Sequence, residues 1–349
     1  MTPPLIAVAA PLSGSHAGFG AQVSTGVRAA LAVVNALQAP HNAFGAKFFD
    51  DACRVDRAIE IARQIVLERP VAVIGHVCSD TSVAASEIYA EAGIPMITPA
   101  SSSEALTAQG RAHVFRVAAR EGEQASVIAD FIGKQHPDAL VGLVREDDYS
   151  AQGHTTRVAA ALAMRGIRVG RVLVADDTRL ATISSQLLQS SPKVVFYGGH
   201  DATLLGKLVY TLRMAGYGGQ ILSNDGAQQA EIWQASRGHA EGLTFAFEQD
   251  HRDTDEARDA VQQIAAMGAR ADGFTLNAFA CVEILHQAFA ASDAHADHRS
   301  MGERIAEALH RHTFATSRGT IRFDSRGEML DTRGALFVWR AGRTAAWTA

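Results

Sequence analysis

Apolar runs of strand length alternate with longer amphipathic stretches over the first two thirds of the chain. In residues 27–35 the apolar positions fall at i, i+3, i+4 and i+7, which predicts a helix with one buried face. Strands that are apolar throughout and separated by helices are typical of a parallel sheet covered on both faces. The first set of predicted strands comprises residues 5–10, 47–49, 71–74, 94–98 and 114–117, and the helices between them comprise 25–37, 55–67 and 82–92.

The same alternation then repeats and predicts a second lobe. Its strands are residues 139–144, 169–174, 194–197 and 220–222, and its helices lie near 150–165, 180–189, 202–215 and 228–235. Helices at 255–267 and 274–290 and late strands at 319–324 and 335–339 complete the chain. We therefore predict an α/β protein with two doubly wound parallel-sheet lobes joined by several short crossings that form a hinge. The first lobe comprises residues 1–120 plus 250–327, and the second comprises 121–249 plus 328–349.

Length and composition are those of a globular protein with two domains. The chain has 349 residues, of which 47% are hydrophobic and 20% charged. The net charge is −5 and the basic residues are scattered, which argues against nucleic acid as a partner. No segment approaches the roughly 20 apolar residues of a membrane span. The beginning of the sequence, MTPPLIAVAAPLSG, fits both a cytosolic protein and a secreted protein without its signal peptide.

Residues able to bind a small zwitterion follow the predicted strands. Ligands bind beyond the carboxyl ends of strands in open α/β sheets, so the expected site is the cleft between the lobes. Small hydroxyl residues follow strands of the first lobe, whereas aromatic, imidazole and carboxylate groups follow strands of the second. Hydroxyls and helix N-termini suit an anion, and a carboxylate suits an ammonium group. The candidates are Ser79, Ala100, Ser101 and Ser102 in the first lobe, and Tyr149, His200 and Asp225 in the second.

Each of these residues also has a purely structural interpretation. Ser79 or Asp80 would serve as a helix N-cap, and the serines before Glu104 resemble a capping sequence. Tyr149 would cover an apolar edge, His200 would be an ordinary loop histidine, and Asp225 with Gly226 would form a turn. The functional interpretation rests on their common position at the carboxyl ends of strands.

The three cysteines divide into a pair and a single residue. Cys53 and Cys78 follow neighbouring strands of the first lobe, so a disulfide that closes a loop of about 25 residues is geometrically reasonable. Two reduced thiols are an equal alternative on spacing alone, and a reduced Cys78 would be available as a nucleophile. Cys281 lies in an apolar helix and is expected to be an inert core thiol.

Several short segments together resemble a known family. They are VIGHVCS at 73–79, ITPA at 97–100, EALT at 104–107 and FYGG at 196–199, with PLSG at 11–14 and GTIRFD at 319–324. In order and spacing, over nearly the whole chain, they resemble the periplasmic leucine/isoleucine/valine-binding proteins. These are the amino-acid-binding components of ABC transporters and have the type I periplasmic binding fold.

The resemblance implies a function and a set of roles. It implies a monomeric periplasmic protein, with a signal peptide that is not part of this sequence, that captures an aliphatic L-amino acid by hinge closure and delivers it to a membrane permease. It implies a disulfide between Cys53 and Cys78. The implied contacts of the ligand carboxylate are the side chains of Ser79 and Ser102 and the backbone of Ala100. Asp225 would bind the ammonium group. The residues implied around the rest of the ligand are Phe19, Tyr149, His200 and Phe274.

Two departures from the family bear on the ligand. Asp225 stands where the family has glutamate, and His200 stands where it has tyrosine. If these two side chains bond each other rather than the ligand, the ammonium contact is weakened and a ligand without an amine becomes an alternative. A sensor or binding protein for an amide or an aromatic carboxylate is therefore kept open.

An enzyme is the alternative from another class. The sequence has no Gly-x-Ser-x-Gly elbow, no phosphate-binding loop and no His-Glu-x-x-His motif, and its fourteen histidines show no metal-binding spacing. We expect neither a metal, a cofactor nor catalytic residues.

Overall fold

The computed structural model describes residues 3–36, 43–293 and 300–348. The helices are, in chain order, α1 Ala17–Ala36, α2 Val55–Glu68, α3 Ser79–Glu91, α4 Ala105–Ala108, α5 Glu121–Gln135, α6 Tyr149–Met164, α7 Leu180–Ser190, α8 Ala202–Met214, α9 Glu231–Ala235, α10 Arg258–Ala266, α11 Thr275–Asp293 and α12 Met301–Arg311. The strands are β1 Leu5–Ala10, β2 Gly45–Asp50, β3 Ala72–Gly75, β4 Met96–Thr98, β5 Val114–Arg116, β6 Leu140–Arg145, β7 Arg168–Val174, β8 Val194–Gly198, β9 Gln220–Ser223, β10 Thr244–Glu248, β11 Phe314–Thr316, β12 Gly319–Ile321, β13 Gly334–Arg340 and β14 Arg343–Ala346. A short 3₁₀ turn spans Asp225–Gln228.

The chain forms two compact units. Unit 1 comprises Met1–Ala118 and His251–Thr332, and unit 2 comprises Ala119–Asp250 and Arg333–Ala349. The chain therefore passes between the units at three places, near residues 118, 250 and 332. The predicted boundary before residue 328 differs, because Glu328 is bonded to the buried Arg116 of unit 1.

Unit 1 is built on a parallel sheet of five strands in the order β2-β1-β3-β4-β5. The interior strand β1 is almost wholly buried, as expected of a strand with helices on both faces. β3 leaves the sheet at Gly75, whose φ is 130° and where a Cβ would lie 2.1 Å from the carbonyl oxygen of Ala9. Only glycine fits this close approach to β1.

The helix α1 begins at Ala17, eight residues before its predicted start, and the predicted end at residue 37 lies outside the described residues. Within the described parts of the chain it is long and apolar enough to cross a membrane, which the sequence analysis did not expect. Such a match is weak evidence, because core helices of globular proteins pass the same test. At Gly26 a Cβ would lie 2.2 Å from the carbonyl oxygen of Thr275 in α11. This close packing identifies α1 as a core helix of unit 1.

Unit 2 is built on a seven-stranded sheet in the order β14-β13-β10-β9-β8-β6-β7. The five strands from β10 to β7 are parallel, whereas β13 and β14 run antiparallel. The predicted parallel sheet of this lobe therefore carries an antiparallel hairpin at one edge. β13 and β14 are joined by a tight hairpin at Ala341 and Gly342, both with positive φ, and a two-residue hairpin requires antiparallel strands.

The late strand predicted at 319–324 is shorter in the structure. Among the strands that the structure describes, β12 ends at Ile321 and pairs with β11, as a two-stranded hairpin of unit 1. In both main sheets the helices that follow β3, β6 and β8 begin near the carboxyl ends of those strands, so these ends carry the polar side chains described next.

Candidate functional site

In unit 1 the predicted serines lie together at the carboxyl ends of β3 and β4. These strands are paired neighbours, so their exit loops lie side by side. The backbone N–H of Ser103 donates to Ser79 Oγ at 3.3 Å, which ties the two loops together. We call Ser79, Ser101 and Ser102 the hydroxyl edge. The N-cap residue of α3 is Cys78, without a side-chain bond, so Ser79 is not the N-cap.

Within the hydroxyl edge, Ser101 has a structural role. Its Oγ donates to the carbonyl oxygen of Val77 at 2.9 Å and also contacts Ser82 Oγ. Thr98 Oγ1 accepts the backbone N–H groups of Ala100 at 3.2 Å and Ser101 at 3.0 Å. These bonds fix the conformation of the loop after β4. Whether Ser79, Ala100, Ser101 and Ser102 contact a ligand stays a prediction.

A buried arginine supports the same loop, and the sequence analysis missed it. Arg116, fully buried in β5, donates from Nη1 to the carbonyl oxygens of Ser101 and Ser103, at 3.2 and 2.6 Å. Its Nε donates to Glu328 Oε2 at 3.0 Å, and its Nη2 also bonds Glu328. A buried guanidinium needs such a paired carboxylate. Arg116 therefore positions the hydroxyl edge through its backbone.

The disulfide implied by the family resemblance is present between Cys53 and Cys78, with a Cα–Cα distance of 5.7 Å. The strands that precede them, β2 and β3, are not neighbours as expected, because β1 lies between them in the sheet. Beside it, the buried His76 bonds Asp51 Oδ2 through Nδ1 at 2.6 Å and Tyr89 Oη through Nε2 at 3.0 Å. Asp51 Oδ1 accepts the backbone N–H of Cys53 at 2.9 Å. Burial, together with the Asp51 charge, raises the pKa of Tyr89 far above its ordinary value. The segment VIGHVC is therefore a structural anchor, and Cys78 is not a free thiol.

The predicted aromatic residues occupy different environments. Phe19 and Phe274 are buried in unit 1 with ring centroids 5.7 Å apart, so they pack on each other. Tyr149, the first residue of α6 in unit 2, is 67% exposed. A ligand contact by any of these three residues remains a prediction.

In unit 2 the structure brings His200 and Asp225 together. They follow the paired strands β8 and β9, and His200 Nε2 lies 3.2 Å from Asp225 Oδ1. Gln124 of α5 donates from Nε2 to Asp225 Oδ2 at 2.8 Å and accepts the Asp225 backbone N–H at 3.3 Å. The carboxylate is thus buried and held at both oxygens.

The charges of His200 and Asp225 follow from this pairing. Burial alone would lower the pKa of His200, but the hydrogen bond and charge of Asp225, with the charge of Glu146, raise it to about 9. Burial opposes ionisation of Asp225 too, yet the hydrogen bond from His200 holds its pKa below the ordinary value. The pair is therefore an imidazolium and a carboxylate at neutral pH.

Two further titratable groups adjoin this pair and were missed by the sequence analysis. His154 of α6 is buried, and its ring centroid lies 5.3 Å from that of His200. Burial lowers the pKa of His154. Glu146, after β6, accepts from Tyr197 Oη at 2.7 Å and from the Asp201 backbone N–H at 2.8 Å, and burial raises its pKa to about 7. Glu146 directly follows strand β6, so its position at a strand end could have indicated it from the sequence. His154 lies within helix α6, and nothing in the sequence indicated it.

The sequence of this chain matches a known protein family. The model of the family described as periplasmic binding protein matches residues 5–344. The chain therefore belongs to the periplasmic binding protein family.

Individual relatives agree with this class. The chain is 30% identical over 342 residues to the Leu/Ile/Val-binding protein homolog 3 of Brucella melitensis, with 97% of this chain and 92% of the relative covered. A leucine binding protein from Thermotoga maritima superposes with a TM-score of 0.88 at 23% identity, covering 99% of this chain and 98% of that one. A branched-chain amino acid transporter substrate binding protein from Streptococcus pneumoniae, in complex with isoleucine, superposes with a TM-score of 0.86 at 20% identity, covering 99% and 98%. The two structures establish the fold.

Proposed function

We propose that this chain is the extracytoplasmic solute-binding component of an ABC importer and that it captures an aliphatic, branched-chain L-amino acid. The Leu/Ile/Val-binding relative supports this ligand class over the full length of the chain. Its partners are then the amino acid and a membrane permease, and its location is the periplasm. Capture by hinge closure stays a prediction.

The observation that carries the proposal is the carboxylate of Asp225, which is buried at the carboxyl end of β9 and stays ionised because its pKa is lowered. A buried carboxylate is a specific partner for an ammonium group. The hydroxyl edge of unit 1 supplies hydroxyls at the start of α3, where positive partial charge favours a carboxylate. In our proposal Asp225 binds the ammonium group of the ligand.

A second candidate function follows from the same carboxylate. Asp225 already bonds His200 and Gln124 within unit 2, which satisfies part of its demand for donors. A ligand without an ammonium group, such as an amide or an aromatic carboxylate, would leave this pair intact. We therefore retain such a ligand as the alternative.

A thermal-shift panel distinguishes the two candidates. The protein is first unfolded and refolded to remove any bound ligand, then heated with the twenty L-amino acids, their keto acids, small amides and aromatic carboxylates. A ligand present at 100 times its Kd adds about 2.7 kcal/mol to the free energy of unfolding. Stabilisation by aliphatic L-amino acids but not by their keto acids supports the proposal. Stabilisation only by acids or amides without an amine would replace it with the alternative.

A further inference from the structure

Two histidines and an aspartate of unit 2 converge on one point. His154 of α6, His200 after β8 and Asp225 after β9 each offer a ligand atom, and the three atoms lie within 4.8 Å of one another. His200 Nε2 and Asp225 Oδ1 are already 3.2 Å apart. Ligand atoms around a tetrahedral zinc ion lie about 3.4 Å from each other when the metal–ligand bonds are near 2.1 Å. Small side-chain rotations would therefore bring the third atom, from His154, to this separation.

The donor set is one that metals of a definite class prefer. Imidazole nitrogen suits zinc and its neighbours in the first transition row, whereas magnesium and calcium prefer an all-oxygen set. Three protein ligands are typical of zinc sites that keep one position open for a water or a bound molecule.

Gln124 holds one of these three ligands, Asp225, in place. Gln124 bonds Asp225 Oδ2 and its backbone N–H, which leaves Oδ1 directed at His200. Partners of this kind orient metal ligands.

The local charge also favours a cation. Carboxylates of Glu121, Glu146 and Asp148 act electrostatically on the two histidines, in addition to Asp225. Arg157 lies 3.6 Å from Glu121 and offsets one of these charges. Three carboxylates then remain around the two histidines, of which His200 is an imidazolium at neutral pH and releases its proton when the metal binds.

We propose that His154, His200 and Asp225 form a binding site for a divalent transition-metal ion of the zinc type, with one coordination position open. The proposal uses unit 2 and the metal alone, so it does not depend on which organic ligand the protein binds. It does predict that zinc and an ammonium group compete for Asp225.

Calorimetric titration of the chelator-treated full chain with Zn²⁺ tests the site, with Mg²⁺ and Ca²⁺ as ions that should not bind. We expect one Zn²⁺ per chain, and visible absorption bands of a four-coordinate site when Co²⁺ is added. His154→Ala and His200→Ala should each weaken Zn²⁺ binding at least about 100-fold, since even outer-shell changes cost 10–100-fold. His239→Ala, at an exposed histidine of the same unit, should leave the affinity unchanged.

Circular dichroism shows whether each variant is folded. If His154→Ala does not fold, His200→Ala and Asp225→Asn carry the test, because His200 is partly exposed. Absence of stoichiometric Zn²⁺ binding to the native chain overturns the proposal, as does an affinity that the folded His200→Ala and Asp225→Asn variants retain. Neither result bears on the amino-acid panel, which contains no metal.

Discussion

The imidazole of His200 and the carboxylate of Asp225 form an ion pair in unit 2, with 3.2 Å between Nε2 and Oδ1. Both residues differ from those of the family that the sequence resembles, and the structure shows that they bond each other. Ligand binding at Asp225 must therefore either share the carboxylate with His200 or displace it. This choice decides between an amine-containing ligand and one without an amine.

Asp225→Ala should weaken binding of the aliphatic amino acid that stabilises the protein most by at least about 2 kcal/mol, or about 30-fold in Kd. The reason is that truncating one partner of a buried charge pair leaves the other charge unpaired. Isothermal titration calorimetry measures the effect. Asp177→Ala, at an exposed carboxylate of unit 2, is the control. An unchanged Kd in Asp225→Ala would remove Asp225 from ligand binding.

Ser102→Ala should raise the Kd of ligands that carry a carboxylate by about 10-fold or more, because a hydrogen bond to a charged group contributes about 1.5–3 kcal/mol. The matched control is Ser103→Ala. The Ser103 Oγ accepts from the Ala105 backbone N–H at 3.3 Å, so its loss should lower stability and not affinity. Equal Kd values for the Ser102→Ala variant and the native protein would show that this hydroxyl does not bind the ligand.

Glu328→Gln should lower the free energy of unfolding by about 3–5 kcal/mol, because it leaves the buried guanidinium of Arg116 without its charged partner. Asp56→Ala breaks an exposed pair with Arg54 and should leave the free energy of unfolding nearly unchanged, because solvent screens the pair. Urea denaturation followed by circular dichroism compares them. Since Arg116 also holds the hydroxyl edge, Glu328→Gln should weaken ligand binding as well. A Glu328→Gln variant as stable as Asp56→Ala would contradict the structural role.

Thiol titration of the denatured, unreduced protein should find one reactive cysteine, the buried Cys281, and three after reduction. The double variant Cys53→Ala, Cys78→Ala should lose about 3 kcal/mol of its free energy of unfolding, as expected for a disulfide that closes a loop of this length. The thermal midpoint measures this loss, and Cys281→Ala separates it from the removal of a core thiol. Three reactive thiols without reduction would contradict the disulfide.

Stability should fall as the pH rises from about 6.5 to 9. The pKa of His200 is about 9 in the fold against an ordinary value of 6.5, so its pairing stabilises fully below pH 6.5 and is lost as the pH rises through 9. The contribution is on the order of 3 kcal/mol. It depends on the groups around His200, which are Asp225, Glu146, Asp148 and the buried His154.

Glu146 titrates in a lower window and acts in the same direction. Its pKa is raised from 4.5 to about 7, so the fold favours its protonated form and loses stability between these values. Thermal unfolding of the native protein and His200→Ala at pH 6.5 and 9 isolates the His200 contribution, with His239→Ala as control. A stability difference between pH 6.5 and 9 that His200→Ala retains would assign it to other groups.

The hydrophobic pattern alone determined the parallel strands, the intervening helices and the division into two α/β units, because burial imposes a period on the sequence. It also placed Ser79, His200 and Asp225 at strand ends, where ligand-binding residues lie in this class of fold. The spacing of Cys53 and Cys78 left their pairing open, and only the family resemblance predicted it. The structure confirms this disulfide.

Only the tertiary structure decided which side chains meet. Arg116 and Glu328 lie 212 residues apart in the chain, Gln124 and Asp225 lie 101 apart, and His154 stands on a helix with no strand-end signal. The antiparallel β13 and β14 likewise depend on where the chain returns to unit 2. Local sequence encodes the period of burial, but the partner of a buried charge is selected by packing between distant segments. For that reason the sequence located the edges of the site, and the fold supplied the pairs that set its chemistry.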